Sequence, residues 1–329
     1  MRAWLLVATV AGACIMTPAP AQSQSYPAKP IRIVVGVPPG GTVDALARAS
    51  APYLSPLLGQ PVIVENRPGA SNRIANQLVA DAAPDGHTLL SLGSSQVLID
   101  AASLATGEER SFDTLKQLAL VTTMVTNPYG IIVRGDLPVK TLNDFISLAR
   151  AKPQSLNYGS TGVGKVDHVA MEMLQQQTGM QLLHVPFKGA GDALAQLLPG
   201  RIDVLLNSVA SVLPQIRSGK VRLLAIVGSE RSAVLPDVPT VAEAVPLPGY
   251  RVDVLIAIGV PAKTPAAIVN RLNAEYKKVL ADEAFVIKVL QPQGLGPFYK
   301  TPADTTATFR AELEKYAKLF KDLGLKISE

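Results

Sequence analysis

Short apolar runs alternate with segments of helical period along most of the chain, and glycine or proline separates them. The first run, Ile31–Val35, is rich in β-branched residues and predicts a strand. The glycine-containing turn at residues 38–41 follows, and Thr42 then has the character of a helix N-cap. Strand-like runs at residues 61–65 and 87–92 each follow a helical pattern. Three such units in succession predict a parallel sheet with helices on both faces.

A second series of strand–helix units begins near Asn127. Its predicted strands are residues 129–133, 156–158, 182–187, 202–206 and 221–227. One more strand is predicted at residues 252–258, and amphipathic helices are predicted at 265–280 and 305–323. Pro52 lies inside the first helical pattern, where a proline removes a backbone hydrogen bond and predicts a kink or a new turn.

The composition is that of a globular protein with a sizeable core, because 48% of the 329 residues are apolar and 17% are charged. This length predicts two domains or one large one. The net charge is +5, but lysine and arginine are dispersed and form no basic run interleaved with aromatic residues. We therefore expect no nucleic-acid partner.

The first 21 residues have the pattern of a secretory signal peptide. Arg2 supplies the charge, residues 3–16 the apolar core, and Ala19-Pro20-Ala21 a small-residue cleavage site. Cys14 is the only cysteine, and a lipoprotein form attached there is the less favoured alternative, since Ala stands three residues before it in place of Leu. Without the leader, the chain has no cysteine for a disulfide, a thiolate zinc site or a cysteine nucleophile.

The turn after the first strand is a candidate anion site. Helix N-termini carry unpaired N–H groups and positive potential, and glycine lets a ligand approach the backbone closely. Pro39, Gly40, Gly41 and Thr42 form this turn, and Asp44 lies in the first helical turn, where a carboxylate is favoured. An ordinary strand–helix connection explains the same pattern, so these residues alone leave both interpretations open.

Residues 159–165 contain a second glycine-rich turn, which matches the G-x-x-x-x-G-K portion of a nucleotide-binding loop. That motif requires Ser or Thr next, but the following residue is Val166, and we therefore do not expect nucleotide hydrolysis. The small residues before a helix nevertheless predict an anion site. Lys165 adds a cation to it, or alternatively is a solvated helix residue.

The three histidines have different predicted positions. His168 lies one turn into the helix after the second glycine turn, so it can reach the same pocket, whereas His87 is predicted in a turn and His184 in the core. No pair has the spacing of a zinc site on a helix, and no nucleophile elbow occurs. Catalysis by Ser160 with His168 lacks an orienting carboxylate, since the neighbouring Asp167 is predicted to point to another face.

Eight segments, in this order along the chain, resemble the Bug receptors, which are the periplasmic substrate-binding components of tripartite tricarboxylate transporters. The segments are YPAKPIR at 26–32, PPGGTVD at 38–44, GQPV at 59–62, ENRPGA at 65–70, APDGHTLL at 83–90, LNY at 156–158, HVPFKG at 184–189 and LPDVPT at 235–240. The resemblance extends over essentially the whole chain after the leader.

The resemblance implies an α/β, type II periplasmic-binding-protein fold with two lobes, a ligand cleft and two crossover connections. We expect lobe 1 at residues 26–123 plus 228–329 and lobe 2 at 124–227, with hinges near 122–128 and 223–229. The implied protein is a monomeric receptor without cofactor, metal or catalytic residues. It binds an organic carboxylate in the periplasm and delivers it to membrane permease subunits. The aromatic content of 5% favours an aliphatic ligand.

The resemblance also implies which residues contact the ligand. By position these are Pro39, Gly40, Gly41, Thr42 and Asp44 in one lobe, Ser160, Thr161, Gly164, Lys165 and His168 in the other, and Ser94, Ser95 and Asn207 at strand ends. Lys165 departs from the family, which usually has Ser or Thr there, and residues 71–73 and 98–110 also diverge. Two alternatives remain: a secreted α/β hydrolase using Ser160 or Ser94, and a receptor for a sensor kinase.

Overall fold

The computed structural model describes residues 26–40, 42–69, 72–107, 112–232, 234–247 and 250–324. The expected signal peptide, with Cys14, and the expected site residue Gly41 lie outside these ranges. The strands are β1 Ile31–Val35, β2 Val62–Asn66, β3 Thr88–Gly93, β4 Leu118–Asn127, β5 Tyr129–Arg134, β6 Asn157–Ser160, β7 Leu183–Pro186, β8 Val204–Ser208, β9 Val221–Ile226, β10 Val254–Pro261 and β11 Gly296–Pro297. The α-helices are α1 Thr42–Leu58, α2 Arg73–Ala80, α3 Ser95–Thr106, α4 Thr114–Gln117, α5 Leu142–Ala151, α6 Val166–Thr178, α7 Ala190–Leu197, α8 Val209–Arg217, α9 Val241–Ala244, α10 Ala266–Ala281, α11 Glu283–Phe285 and α12 Pro302–Leu323.

The strands form two sheets. The first has the order β11-β4-β10-β3-β1-β2, and the second has the order β7-β6-β8-β5-β9. β1 pairs in parallel with β2 and β3, and β6 pairs in parallel with β7 and β8, while β10 and β5 run antiparallel to their neighbours. Each lobe is therefore a mixed sheet covered by helices.

Two connections cross between the sheets. β4 passes directly into β5 through Pro128, and residues 227–253 return the chain from β9 to β10. The two crossings contact each other, because Val227 N donates to Tyr129 O at 2.9 Å and Val252 N donates to Val227 O at 2.8 Å. A cavity of about 180 Å³ lies beside them, lined in part by Asn127 and Asp253. The two-lobe α/β fold with two crossovers expected from the sequence is present.

The returning segment contacts both lobes. Ile226 forms a parallel bridge with Thr240, which places that residue beside the second sheet, and α9 packs against α5. The sequence expectation placed all residues after 227 with the first lobe. Residues 240–244 instead lie on the second, because a short amphipathic helix there covers α5.

Two local features go beyond the sequence pattern. Pro52 and Pro56 both lie within α1, and the helix continues from Thr42 to Leu58 with its buried face, including Leu54, packed on the core. Gly59 then ends it with a φ of 70°, a left-handed conformation that suits glycine. The ten-residue strand β4 was not predicted. Its threonines are buried on both faces, so it lacks the polar–apolar alternation of an exposed strand.

Three apolar clusters hold the elements together. One packs α1 and α10 against the first sheet, and another packs α7 and α8 against the second. The third runs between the lobes and includes Phe145 and Tyr316. Within the described residues, no helix is long and apolar enough to cross a membrane.

Candidate functional site

The carboxyl ends of the parallel strands carry the loops that the sequence singles out. In open α/β sheets this edge is where ligands bind, because helix N-termini and loop groups converge there. In the first lobe, β1 leads into the turn before α1, and β3 leads into α3. In the second lobe, β6 leads into the glycine turn before α6, and β8 leads into α8.

Asp44 braces the turn of the first lobe. Its carboxylate accepts the backbone N–H of Gly40 at 2.9 Å, the Nδ2 of Asn66 at 2.8 Å and the Nε of Arg48 at 3.0 Å. Asn66 in turn donates to Val37 O at 3.0 Å. Asp44 is only 2% exposed, so its charge stabilises the turn itself.

The charge of Asp44 is compensated. Burial raises the pKa of this carboxyl, but the hydrogen bonds from Gly40, Asn66 and Arg48 outweigh burial and leave the pKa below its usual value. Pro39, Gly40 and Thr42 remain exposed at the rim of the turn. The exposed groups of this turn are therefore its backbone and the Thr42 hydroxyl, whereas the Asp44 carboxylate is buried.

A small polar cavity adjoins this turn. Its volume is about 30 Å³, and Asn72, Asn76, Ser91 and Gln96 are among its lining residues. This is room for about one water molecule. Ser91 is 2% exposed, and its hydroxyl has no hydrogen-bond partner in the described part of the chain. A buried hydroxyl without a hydrogen-bond partner lowers the stability of the fold unless a water or a ligand forms the missing hydrogen bond.

Ser94 and Ser95 at the end of β3 have different surroundings. Ser94 is buried, and its hydroxyl accepts the N–H of Leu255 at 3.2 Å, so it ties β10 to the start of α3. Ser95 is exposed and lines the small cavity. Of the two side chains, only that of Ser95 is exposed.

Asp167 braces the turn of the second lobe in the same way that Asp44 braces the first. Its carboxylate accepts the N–H of Thr161 at 2.5 Å and the hydroxyl of Thr161 at 2.9 Å. Burial raises the pKa of Asp167, and the hydrogen bonds from Thr161 only partly oppose that effect. Asp167 therefore faces the loop, which folds back over the first turn of α6, and its hydrogen bonds are to Thr161 rather than to the His168 imidazole.

The imidazoles of His168 and His184 lie together under this turn. The Nδ1 atom of His168 accepts the N–H of Gly164 at 3.1 Å, and the Nε2 atom of His184 lies 2.6 Å from Ser160 Oγ. The two ring centroids are 4.3 Å apart, and the Tyr158 ring stacks on His184 at 4.7 Å. His184 is therefore a half-buried residue paired with Ser160 at the second glycine turn, and not the core histidine that its apolar strand predicts.

The histidines are neutral in this environment. Burial lowers the pKa of His168. Burial, and after it the neighbouring His168 imidazole, lower the pKa of His184 to about 4, although the Glu172 carboxylate acts in the opposite direction. Because Nδ1 of His168 is an acceptor, a neutral His168 carries its proton on Nε2 and offers it as a donor.

The remaining predicted residues lie at the start of helices. Lys165 is the exposed N-cap of α6, and it forms no ion pair in the described part of the chain. Its side chain lies over Gly162, since a Cβ built there would be 3.7 Å from Lys165 Cγ. Asn207 is 5% exposed and accepts from Ser208 N at 2.7 Å, so its amide oxygen is engaged at the start of α8.

Sequence reasoning did not single out Ser91, Asn72 or His184 as neighbours of the two glycine turns. Ser91 had a signal, because a serine inside an otherwise apolar strand requires a polar partner. His184 lies opposite Tyr158 because β6 and β7 pair in parallel. This contact can be predicted only if the two strands are already known to be neighbours. Asn72 adopts φ 73° and packs against Gly36, a contact that is not visible in the sequence.

Comparison with known sequences places the chain among solute receptors. Residues 46–325 match the model of the tripartite tricarboxylate transporter family receptor. A similar curated protein, BugT of Bordetella pertussis, is 33% identical over 309 residues, which is 94% of this chain and 94% of that protein.

Solved structures agree with this match. An R. palustris protein solved with adipate has a TM-score of 0.74 and 30% identity, covering 92% of this chain and 99% of its own. MatC from Rhodopseudomonas palustris, solved with bound malate, has a TM-score of 0.70 and 30% identity, covering 89% of this chain and 99% of its own. The type II periplasmic-binding-protein fold is confirmed.

Proposed function

The chain belongs to the tripartite tricarboxylate transporter receptor family, and we propose that it binds an aliphatic dicarboxylate between its two glycine turns. Proteins of this family are solute-binding receptors and not enzymes. The hydrolase alternative is therefore set aside. Among the described residues, no carboxylate hydrogen-bonds to His184, so the close Ser160–His184 pair lacks the third member of a catalytic triad.

The proposal depends on one observation: each lobe ends its parallel strands in a glycine turn whose acidic residue is already engaged. Asp44 and Asp167 are occupied by their own loops, so the groups left at the rim are donors. In the second lobe the exposed donor is the ammonium group of Lys165, with the Nε2–H of the buried His168 under the turn. In the first lobe, Thr42 and Ser95 are the exposed hydroxyls. An anion fits a rim of this chemistry.

Two separated donor groups favour a ligand with two carboxylates. The R. palustris relatives described above were solved with adipate and malate, which are both aliphatic dicarboxylates. The aromatic content of 5% leaves few rings for stacking an aromatic acid. One carboxylate would then meet the turn of each lobe, partly through water at the Ser91 cavity.

Transport follows from closure of the lobes. We place lobe 1 at residues 26–123 plus 228–329, with residues 240–244 packed on lobe 2, and the hinge at the two crossings. The closed receptor would act in the periplasm after export through the N-terminal signal peptide. It would bind as a monomer and deliver its ligand to membrane permease subunits of a tripartite transporter. Small-angle scattering should show a smaller radius of gyration with saturating ligand, and an unchanged radius contradicts closure.

A thermal-shift screen of mono-, di- and tricarboxylates tests the ligand class. A ligand at 100 times its dissociation constant should add about 2.7 kcal/mol to the free energy of unfolding. We expect C4 to C6 dicarboxylates to give the largest shift and the matched uncharged diamides to give none. The proposal is overturned if no carboxylate raises the transition temperature.

A further inference from the structure

The N–H groups of the second glycine turn are largely engaged by the protein itself. Thr161 N donates to Asp167, Gly162 N donates to Ser160 Oγ at 3.1 Å, and Gly164 N donates to His168. Glycine turns usually bind anions through such N–H groups. Here side chains have to supply part of the hydrogens offered to a ligand, and Ser160, which is only 1% exposed, lies at the start of the turn.

The direction of the Ser160 hydroxyl depends on His184. When Nε2 of His184 is unprotonated, it accepts the Ser160 hydrogen across the 2.6 Å contact, and that hydrogen is not offered to an anion. When Nε2 carries a proton, in the imidazolium or in the neutral Nε2–H tautomer, it donates to Ser160 Oγ, which also accepts from Gly162 N. The Ser160 hydrogen then turns away from His184 toward Gly162 O, 3.4 Å away, or toward a carboxylate that replaces this weak contact.

Of the two imidazoles, only His184 can gain this proton without losing a hydrogen bond shown by the structure. Protonation of His168 would put a hydrogen on Nδ1, which already accepts the N–H of Gly164. The ring centroids are 4.3 Å apart, so two positive charges there would repel each other. A single added proton therefore belongs on His184.

We propose that His184 takes up a proton when a dicarboxylate binds, and thereby turns the Ser160 hydroxyl into a ligand donor. This inference rests on the proposed function, and it assigns a role to a residue that the sequence places in the core. The bound anion supplies the negative charge that makes the imidazolium stable. Affinity should therefore rise as the pH falls from 7 toward 6.

The groups around His184 are consistent with a charge change on binding. On α6 these are Asp167, His168 and Glu172, and on β6 the neighbour is Tyr158, whose hydroxyl donates to Glu172 at 2.5 Å. The exposed Lys165, Lys188 and Asp192 complete the charged groups of the adjoining segments. Without ligand, burial and His168 hold the pKa of His184 at about 4, so at pH 6 it is neutral. Glu172 and the bound anion both favour the charged form.

Titration calorimetry at pH 6 in buffers of different ionisation enthalpy measures the protons taken up per ligand. The probes are the disodium salts of adipate and malate, and the proteins are the full-length wild type and His184→Gln. The ionisation of the ligand is common to both proteins, so the difference isolates residue 184. We expect the wild type to take up at least about 0.3 proton more per ligand than His184→Gln.

The affinities at pH 7 separate this role from a packing role. The glutamine amide can still donate to Ser160 Oγ, so His184→Gln should bind within about threefold of the wild type, whereas His184→Leu should lose about tenfold or more. His87→Gln is the matched control, because His87 lies in the first lobe beside Asp85 and Tyr26. It should leave both the affinity and the proton uptake unchanged.

Several outcomes overturn the inference while leaving the receptor intact. These are equal proton uptake by the wild type and His184→Gln, or a loss of affinity in His184→Gln as large as in His184→Leu. If His184→Gln does not fold, His184→Leu is the second variant, and proton uptake equal to that of the wild type there contradicts the proposal. Failure of both probes to bind the wild type contradicts the proposed function itself.

Discussion

The glycine turns of the two lobes are stabilised by the same kind of hydrogen bond, but they differ in charge. In each turn, an aspartate in the first turn of the following helix accepts an N–H of the loop: Asp44 from Gly40 and Asp167 from Thr161. Asp44 is also paired with Arg48, and its pKa lies below the usual value. Asp167 has no ion pair in the described part of the chain, and burial raises its pKa.

This difference shows what an acidic residue after such a turn does. The sequence pattern of strand, glycines and helix with an early aspartate suggests a carboxylate near the ligand. The structure shows the carboxylate facing inward to hold the loop. The Asp44 carboxylate of the first turn is held by an ion pair, whereas the Asp167 carboxylate of the second is held by neutral donors and lies beside two histidines, so pH should act mainly on the second.

The largest expected effect comes from removing the brace of the first turn. Asp44→Ala leaves Gly40 N, Asn66 and Arg48 without their acceptor, and it should lower the free energy of unfolding by about 3 kcal/mol. Urea denaturation at pH 7 measures this. The control is Asp136→Ala, which removes an exposed partner of Arg134 and should leave stability nearly unchanged. Equal small losses would show that Asp44 does not brace the turn.

Lys165 tests the donor side of the second turn. Lys165→Met should weaken adipate or malate binding about tenfold, because a charged hydrogen bond is worth roughly 1.5–3 kcal/mol. A monocarboxylate bound by the first turn should be affected much less. Lys188→Met, on a neighbouring exposed lysine, is the matched control for titration calorimetry. The assignment is contradicted if Lys165→Met weakens both ligand classes equally and slightly.

Gly40 tests the backbone of the first turn. Its φ is 94°, and no heavy atom lies within 4 Å of a Cβ built there, so Gly40→Ala should cost only backbone strain, about 1–2 kcal/mol. Gly191→Ala in α7 also meets no atom within 4 Å and has no positive φ, so it should leave stability unchanged or raise it by up to about 1 kcal/mol. Thermal denaturation of both variants measures the difference. Similar costs in both would exclude strain as the reason for Gly40.

The smallest expected effect is that the contributions of the two aspartates to stability depend on pH in opposite directions. The folded pKa of Asp44 is lowered, so its contribution to stability is present above the unfolded pKa and is lost as the pH falls through the folded pKa. The folded pKa of Asp167 is raised, so its contribution is present below the unfolded pKa and is lost as the pH rises through the folded pKa. From pH 3 to 7, Asp44→Asn should therefore become more destabilising and Asp167→Asn less so. Denaturation curves across this range check it, and parallel trends would contradict the comparison.

Much of the fold is predictable from local pattern, because apolar runs and glycine turns mark most strand–helix units. β4 and the cavity at Ser91 cannot be predicted from local pattern, since both depend on burial by elements that are distant in the sequence. Asp44 was predicted in the correct turn, but the direction of its carboxylate depends on Asn66, 22 residues away. The role of His184 depends on strand order, which the sequence does not specify.

Hydrogen exchange by mass spectrometry, with and without saturating adipate or malate, tests the central claim most directly. If one dicarboxylate bridges both lobes, peptides covering residues 36–45 and 158–168 should become protected together, while the surface turn at 198–200 should not change. Protection of only one turn, or of neither in the presence of a ligand that raises the transition temperature, would contradict a shared site.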